Sequence, residues 1–549
     1  MVPVLLTRLA SALIFAVSLC SVASAAEVSW EHLLPSGASR GQEVEVEIRG
    51  GKLEKWPVDV WTSTTHIAAR ALEKKGRLAV KIAPDCPTGV HAIRLFDNTT
   101  ATPIRPFLVS QSEEARESEP NDRLADAKLF KGTTVLNGVF DKVGDADSFA
   151  VDLEAGETVV AAMTAHQILE SKVDPVLQVL TSDGFVVAQN HDWLGLDPRV
   201  AFTAKKTGRH FVRCFTFPSQ PNASIQLSGG ATLIYRLTVT TEALVDYTYP
   251  LTVENGKARS VELVGWNLGT ETRELTLPSE QLIGAPEQLQ LWPSELATPV
   301  TIDVVPHTTL TENSENPSEP QRIDIPSSVT GVLTQPQETD RFSFEGKKDQ
   351  ALRLEIRARR IGSPLDGFLI LKGPDGKKIA ENDDAADKDP AIQLKLPADG
   401  HYTIEIEDRN REGSERYFYL LTATTPPPDF SLSTAANVHT LETGKSLDIV
   451  VTPGRKDGLS GFIEITAVDL PPGVRSTQVT SMAAGESTKK VTLTLTADDG
   501  ITASAPFRIV GRATEHESLE RYVRSGKAWM DGTVPHLWLV VKPAAQDGE

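Results

Sequence analysis

Beyond its first 26 residues, the sequence has no apolar run of the roughly 20 residues that a membrane-spanning helix requires. It has only three cysteines and no Cys-x-x-Cys pair, which argues against a zinc site, since zinc needs about four ligands. It is also poor in positive charge, with 55 Lys and Arg against 74 Asp and Glu. The resulting net charge of -19 disfavours nucleic acid as a partner, because phosphates demand clustered basic residues.

The N-terminal segment is the exception to this lack of apolar runs. A basic Arg8 precedes an apolar stretch from Leu9 to Val22 and the small residues Ala23-Ser24-Ala25. This order predicts a secretory signal peptide at 1–25 and a mature chain that begins near Ala26. We therefore expect an exported protein that is extracellular, on the cell surface or periplasmic, and that has no later membrane span.

Two cysteines, Cys86 and Cys214, remain after cleavage. They could pair in an oxidising compartment, but we place them in different domains. Two free, buried thiols are therefore the favoured interpretation.

Helical periodicity longer than two turns is hard to find outside the signal segment. Short alternating or β-branched runs recur instead, separated by Gly, Pro, Asn and Asp, and examples are Glu43 to Ile48, Val159 to Thr164 and Leu352 to Ala358. This spacing predicts an all-β chain of β-sandwiches. A length of 549 residues predicts several such domains.

An internal repeat appears when Asp147 to Thr241 is aligned with Asp340 to Thr424. Both copies contain an Asp-Gly hairpin turn, at Asp183 and at Asp375, and then a Gly-led strand that alternates inward aromatic or aliphatic residues with polar ones. Two copies of one sandwich module follow. The complete prediction is a small immunoglobulin-like or TIG-like domain at 26–110, the first repeat module at 117–241, a second small domain of that kind at 242–310, the second repeat module at 311–424 and an immunoglobulin-like domain at 428–543.

The repeat resembles the bacterial pre-peptidase C-terminal (PPC) domain, a jelly-roll-like β-sandwich found beside secreted peptidases and in collagen-binding segments of collagenases. The signature lies in Glu117-Ser118-Glu119-Pro120-Asn121-Asp122 and in Gly144-Asp145-Ala146-Asp147-Ser148-Phe149. The flanking domains resemble TIG-type and bacterial immunoglobulin-like modules, and the layout looks like exported planctomycete proteins. The resemblance implies a peptidase-associated or binding role outside the cytoplasm.

Acidic residues in the two signature segments suggest a metal site. The candidate ligands are Glu117, Glu119, Asn121, Asp122, Asp145 and Asp147. If the fold brings the segments together, the repulsion between five carboxylates requires a hard cation, and calcium takes 6 to 8 oxygen ligands. Resemblance to the PPC family adds support, because its members bind calcium through matching positions. The alternative is a solvated acidic linker, with Asp147 merely ending a strand.

Other candidate sites are weaker. In the second copy, Glu315-Asn316-Pro317 and Glu338-Thr339-Asp340 supply fewer acids, so we expect a weak or lost site. A polar loop explains the cluster of Asn382, Asp383, Asp384, Asp387 and Asp389 equally well. Trp56, Trp193 and Trp292 could bind a polymer, although single tryptophans more often cover a core.

Apparent catalytic motifs are incomplete. Thr480-Ser481-Met482-Ala483 is similar to the nucleophile segment of subtilisin-like proteases, but no base or orienting segment accompanies it. His516-Glu517 begins like a zinc-protease helix and lacks the second His. We therefore predict no enzyme, but a secreted protein that binds an extracellular protein or polysaccharide. The alternative is an accessory or degenerate component of a secreted peptidase.

Overall fold

The computed structural model describes residues 29–220, 226–313, 319–385, 388–515, 519–524 and 537–544. Strands dominate this part of the chain, and its helices are single turns of three or four residues. The strands form pairs of sheets that follow one another along the sequence, which confirms the predicted class of tandem β-sandwiches. The predicted signal peptide lies outside the described residues.

The first module covers residues 29–110 and has eight strands. They are β1 (His32–Leu34), β2 (Gly37–Ser39), β3 (Glu43–Arg49), β4 (Asp59–Thr62), β5 (Ile67–Ala71), β6 (Arg77–Ile82), β7 (Gly89–Phe96) and β8 (Arg105–Ser110). One sheet has the order β1-β3-β6-β5 and the other β2-β8-β7-β4. Their inner faces enclose a core that contains the free thiol of Cys86.

The second module covers residues 113–240 and has ten strands. They are β9 (Glu113–Arg116), β10 (Lys128–Phe130), β11 (Thr134–Val139), β12 (Asp147–Leu153), β13 (Thr158–Thr164), β14 (Val173–Thr181), β15 (Val186–Asn190), β16 (Arg199–Thr203), β17 (Gly208–Pro218) and β18 (Ile234–Thr240). Its sheets have the orders β10-β12-β17-β14-β15 and β9-β11-β18-β13-β16. Cys214 is a free thiol buried in this second core.

The third module is smaller and covers residues 244–305. Its strands are β19 (Leu244–Tyr249), β20 (Thr252–Glu254), β21 (Arg259–Trp266), β22 (Glu274–Leu277), β23 (Gln288–Leu291) and β24 (Val300–Val305), with one helical turn at Ser279–Leu282. Two three-stranded sheets, β19-β21-β22 and β20-β24-β23, enclose its core.

The fourth module covers residues 308–424 and repeats the architecture of the second. Its strands are β25 (Thr308–Thr311), β26 (Gln321–Arg322), β27 (Ser327–Val332), β28 (Thr339–Gly346), β29 (Ala351–Arg357), β30 (Gly367–Lys372), β31 (Lys378–Asn382), β32 (Ala391–Lys395), β33 (Gly400–Asp408) and β34 (Phe418–Thr424). The sheet orders β26-β28-β33-β30-β31 and β25-β27-β34-β29-β32 match those of the second module strand for strand. The sequence repeat therefore coincides with a repeat of topology.

The fifth module begins at residue 429. Its strands are β35 (Asp429–Thr434), β36 (Val438–Glu442), β37 (Ser446–Lys456), β38 (Ile463–Val468), β39 (Val474–Ser476), β40 (Val479–Ser481), β41 (Val491–Ala497), β42 (Ala503–Ala513), β43 (Glu520–Tyr522) and β44 (Leu537–Lys542). One sheet has the order β35-β37-β41-β39, and the other has the order β36-β44-β42-β38-β40 with β43 beside β42.

Short linkers join the modules. Between the last strand of one module and the first of the next lie only residues 111–112, 241–243, 306–307 and 425–428. The strands β9 and β25, which follow two of these linkers, pair in parallel with β11 and β27 inside their own modules. The linkers therefore run almost directly into the sheets.

Three modules meet at a charged junction. Asp246 of the third module, whose side chain is 5% exposed, accepts hydrogen bonds from Arg199 of the second module and Arg416 of the fourth, each at 3.0 Å. The Arg416 guanidinium lies 3.2 Å from the ring centroid of Trp193. The Trp193 and Trp266 ring centroids lie 5.6 Å apart. The second module thus contributes an arginine and a tryptophan to this junction, the third an aspartate and a tryptophan, and the fourth an arginine.

The first and fifth modules also dock against each other. In β44, Leu537, Leu539 and Val541 face the core of the fifth module. Trp538 and Val540 face the opposite way and pack with Ala101 of the first module. The ring centroid of Trp538 lies 4.7 Å from that of Phe96 and 5.1 Å from the guanidinium of Arg94. Both faces of this strand are therefore buried, as expected for a nearly continuous apolar run.

Candidate metal centre

The two acidic segments of the second module lie side by side. One, from Glu117 to Asp122, follows β9, and the other is the loop between β11 and β12 together with the start of β12. Ser148 N donates a hydrogen bond of 3.0 Å to the carbonyl of Asn121. Glu117 N donates to the carbonyl of Asn137 at 3.1 Å. Backbone pairing thus holds the first segment against the second.

Five carboxylates meet at this place in two overlapping triads. The inner triad is Glu117, Glu119 and Asp147, and the outer triad is Glu119, Asp122 and Asp145. Within each triad, one oxygen from every residue lies within 4.8 Å of the others. Asn121 is buried in the same turn, with 3% of its surface exposed. All six residues singled out from the sequence are therefore neighbours in space.

Several polar atoms of this cluster are buried without a hydrogen-bond partner among the described residues. They are Oδ1 of Asp147, Oδ1 of Asp145 and both side-chain polar atoms of Asn121. Asp145 and Asp147 are completely buried. A buried acceptor that lacks a partner costs about 1–3 kcal/mol, and more when it is charged. The cluster therefore has unused capacity to bind a cation.

Tyr235 is a member of the site that sequence reasoning did not single out. Its hydroxyl lies 2.6 Å from Glu117 Oε2 and 2.7 Å from Asp147 Oδ2. The ring fits against Gly138, where an added Cβ would lie 2.3 Å from the hydroxyl oxygen. One hydroxyl has one proton to donate, so it cannot satisfy both carboxylates.

Crowding of the carboxylates changes their protonation. Burial, and after it the charge of Glu117, raises the pKa of Asp147 to about 10. Burial raises the pKa of Glu117 to about 7 and that of Asp145 to about 6. Desolvation favours the neutral form of an acid, and neighbouring negative charge adds to the effect. The inner carboxylates thus share protons unless a cation neutralises them.

Lys142 is the second residue that sequence reasoning missed. Its Nζ lies 2.9 Å from Asp122, 3.5 Å from Asp145 and 3.8 Å from Glu119, so it contacts all three members of the outer triad. The hydrogen bond from Lys142 lowers the pKa of Asp122. A single lysine within the acidic loop from Asp141 to Asp147 was the available signal in the sequence.

The donor set fits a hard divalent cation. All candidate ligand atoms are oxygens, and carboxylate and amide oxygens are the usual ligands of calcium. Five carboxylates face a single ammonium group, so negative charge is in excess. Asp147 belongs to the inner triad, has a buried, unpartnered Oδ1 and makes no ion pair with Lys142.

The fourth module has a reduced version of this cluster. Glu312 N donates to the carbonyl of Thr330, as Glu117 does to that of Asn137, and the Tyr419 hydroxyl donates to Asp340 at 2.5 Å. Glu312 therefore takes the place of Glu117, a match that the sequence analysis missed. Glu338 turns to Thr334 and to the backbone of Gln335, and Gln335 stands where the second module has Lys142. Glu315 to Pro317 lie outside the described residues.

Glu312 and Asp340 form a proton-sharing pair. Burial, and after it the charge of Asp340, raises the pKa of Glu312 to about 9 from an ordinary 4.5. A raised folded-state pKa means that folding takes up a proton. The resulting stability is fully present below pH 4.5 and is lost as the pH rises through about 9.

We expect Glu312→Gln to remove this pH dependence. Wild-type stability should fall between pH 5 and pH 9, by up to about 1.4 kcal/mol per pH unit for the one proton involved. The variant keeps a hydrogen-bond donor to Asp340 without needing a proton, so the difference between the two proteins isolates this pair. Calorimetric melting of the full chain at several pH values measures it. Exposed Glu345→Gln is the control, and parallel curves for wild type and Glu312→Gln would contradict the assignment.

The remaining acidic cluster is a structural loop. Asp389 is buried and accepts hydrogen bonds from the backbone of Arg359 and Arg360 and from the Arg360 side chain. Asn382 accepts a bond from the backbone of Ala391, and Asp383 pairs with Arg409. These contacts engage Asp383 and Asp389 in holding the β31–β32 connection, and Asp387 lies outside the described residues.

The three tryptophans considered as a polymer platform are engaged within the protein. Trp193 lies in the three-module junction. Trp56 donates to the carbonyl of Leu72 and Trp292 to that of Leu296, and both side chains are partly buried against the cores of their modules. Ser481 is completely buried at the end of β40, where its hydroxyl accepts a hydrogen bond from Arg455. His516 and Glu517 lie outside the described residues.

This architecture and the repeated acid–tyrosine motif define a class of protein built from tandem β-sandwiches. Within it, residues 338–408, which span β28 to β33, match the family model of the bacterial pre-peptidase C-terminal domain. The chain thus contains one domain of that family in its fourth module. Among the helices of the described residues, none has the length and hydropathy needed to cross a bilayer.

Similar proteins cover parts of the chain. A probable subtilase-type serine protease of Deinococcus radiodurans is 42% identical over 80 residues, which are 14% of this chain and 11% of that protein. The chain therefore matches only a small part of that relative. The pre-peptidase C-terminal domain of a Bacillus anthracis collagenase is 17% identical and covers 20% of this chain and 97% of its own, with a TM-score of 0.16. The fibronectin(III)-like modules of Clostridium thermocellum CbhA are 9% identical, and the match covers 43% of this chain and 96% of that chain, with a TM-score of 0.15.

Proposed function

We propose that this chain is an exported, non-catalytic protein that binds an extracellular protein or polysaccharide, and that calcium stabilises its second module. The family match in the fourth module supports a role outside the cytoplasm, because PPC domains occur in secreted, peptidase-related proteins. The second module has the same strand order, so we propose that it is another copy of this domain. The first and third modules are proposed to be immunoglobulin-like or TIG-like, and the fifth is proposed to be immunoglobulin-like.

One observation carries the calcium proposal. Five carboxylates form two triads that share Glu119, and one of them contains Asp147, whose Oδ1 is buried without a hydrogen-bond partner. Calcium would supply positive charge to oxygens that otherwise repel one another or share protons. The residues that would hold it are Glu117, Glu119, Asp122, Asp145 and Asp147, with the amide oxygen of Asn121. Bound calcium would fix the segment after β9 against the sandwich and so stiffen the entry into the second module.

We expect calcium to bind the full chain with roughly micromolar to millimolar affinity and to raise its melting temperature. Replacing Asp145 and Asp147 together by Ala should abolish both effects, because it removes the two most buried ligands. Calorimetric titration with calcium chloride and thermal melts in calcium or chelator measure them.

The matched control is Asp340→Ala, which removes the equivalent aspartate of the fourth module and should leave calcium binding intact. A wild-type melting temperature that does not respond to calcium would refute the proposed site and leave a buried acidic cluster that shares protons.

The second candidate is an accessory or degenerate component of a secreted peptidase, and the identity to a probable subtilase favours it. Peptide hydrolysis by the purified chain that is lost in Ser481→Ala would establish the enzymatic version. We expect no hydrolysis, because the Ser481 hydroxyl is buried and bonded to Arg455.

A further inference from the structure

Lys142 holds an unusual position among the charged residues of the second module. Its Nζ lies within 4.0 Å of four carboxylates, those of Glu119, Asp122, Asp145 and Asp141. In the described part of the chain, no other Lys, Arg or His forms an ion pair with the acids of the two triads. One ammonium group therefore supplies the positive charge that balances the outer triad.

The ammonium group contacts three of the five carboxylates of the cluster. It contacts the three members of the outer triad, but it makes no ion pair with Glu117 or Asp147 of the inner triad. Asp147 Oδ1 stays without a partner as a result. The lysine thus balances charge in the outer triad and leaves the buried Asp147 without a counter-ion.

Lys142 can also leave the site. Its side chain is 51% exposed and its charge is carried on a flexible four-carbon stem, so it can turn into solvent without repacking the core. An ammonium group and a divalent cation cannot share the same oxygens, because like charges at such distances repel strongly. A cation that uses the outer triad must displace it.

The fourth module shows what happens where fewer acids are present. Gln335 occupies the position of Lys142, and it is neutral. There Glu338 bonds within its own loop, and Glu312 and Asp340 share a proton. The lysine thus accompanies the larger acidic set and is replaced where that set is reduced, which indicates a role tied to the excess charge.

We propose that Lys142 is a tethered counter-ion that occupies the outer triad when the metal is absent and is displaced when a divalent cation binds. It holds the two acidic segments together in the metal-free protein. It also sets the affinity of the site, because binding must overcome its ion pairs. This inference rests on the proposed calcium site.

The test uses the full chain and calcium chloride as the probe. Lys142→Gln installs the residue that the fourth module has at this position. We expect this variant to bind calcium roughly tenfold more tightly than wild type, to melt at a lower temperature in chelator and to show a larger rise in melting temperature with calcium. Lys142→Arg keeps the charge and should bind like wild type. Exposed Lys206→Gln removes one charge elsewhere in the module and should change nothing.

The outcomes separate the two proposals. If wild type binds calcium and Lys142→Gln binds with the same or lower affinity, the role of Lys142 is refuted and the calcium site stands. If neither protein gives heat or a shift in melting temperature, both proposals fail. If Lys142→Gln is unfolded in chelator, refolding on addition of calcium supports the tethered counter-ion, and failure to refold overturns it.

Discussion

Asp246→Asn is expected to destabilise the full chain by about 3 kcal/mol and to loosen the junction of the second, third and fourth modules. The substitution keeps the volume of the side chain and removes its charge. Arg199 and Arg416 would then face each other near two tryptophans with no anion between them. Removing one partner of a buried ion pair is costly because the remaining charge stays desolvated.

Chemical denaturation measures this loss, and small-angle X-ray scattering reports whether the modules separate. Arg209→Gln is the matched control, since it breaks an ion pair with Asp152 in which both side chains are about half exposed. Such a pair contributes at most about 1 kcal/mol. Equal losses for the two variants would show that the junction has no special role.

Trp538→Ala is expected to release the fifth module from the first. The side chain is 1% exposed and packs against Phe96 and Ala101, beneath the guanidinium of Arg94. Truncating a buried tryptophan typically costs about 3–5 kcal/mol through lost contacts and the cavity that remains. Because Trp538 faces away from the core of its own module, the effect should fall mainly on the docking between modules.

Hydrogen exchange followed by mass spectrometry can test this, since β4, β7 and β44 should exchange faster in the variant while the inner strands of the fifth module stay protected. Phe462→Ala, at an exposed aromatic of the same module, serves as the control. Increased exchange throughout the fifth module would instead place Trp538 in the stability of that module alone.

Local pattern made the class of fold predictable. Alternating apolar residues indicate which strands have one buried face, and the repeat of Asp147 to Thr241 in Asp340 to Thr424 indicates two modules of one kind. The strands and the repeat are both recognised from short local patterns, each of which spans only a few residues. The candidate ligands were predictable for the same reason, because they lie in two short segments.

Long-range partners were not predictable in this way. Tyr235 contacts Glu117 across 118 positions of sequence, and the register of β11 against β18 brings them together. The repeat contained Tyr235 and Tyr419, but their shared place beside Gly138 and Gly331 becomes visible only in three dimensions. Trp193 was considered as an exposed platform because a loop sequence does not reveal that another module covers it.

The linkers of two to four residues have a mechanical consequence. A residue spans at most about 3.6 Å, so each linker can lengthen very little before the strands beside it bear the load. Under tension the linkers are therefore expected to extend very little before a strand is pulled from its sheet. Force would first separate the docked first and fifth modules and would then meet the hydrogen bonds of β9 and β25, each of which directly follows its linker. A ligand bound by the first module would thus be held beside whatever the docked fifth module contacts.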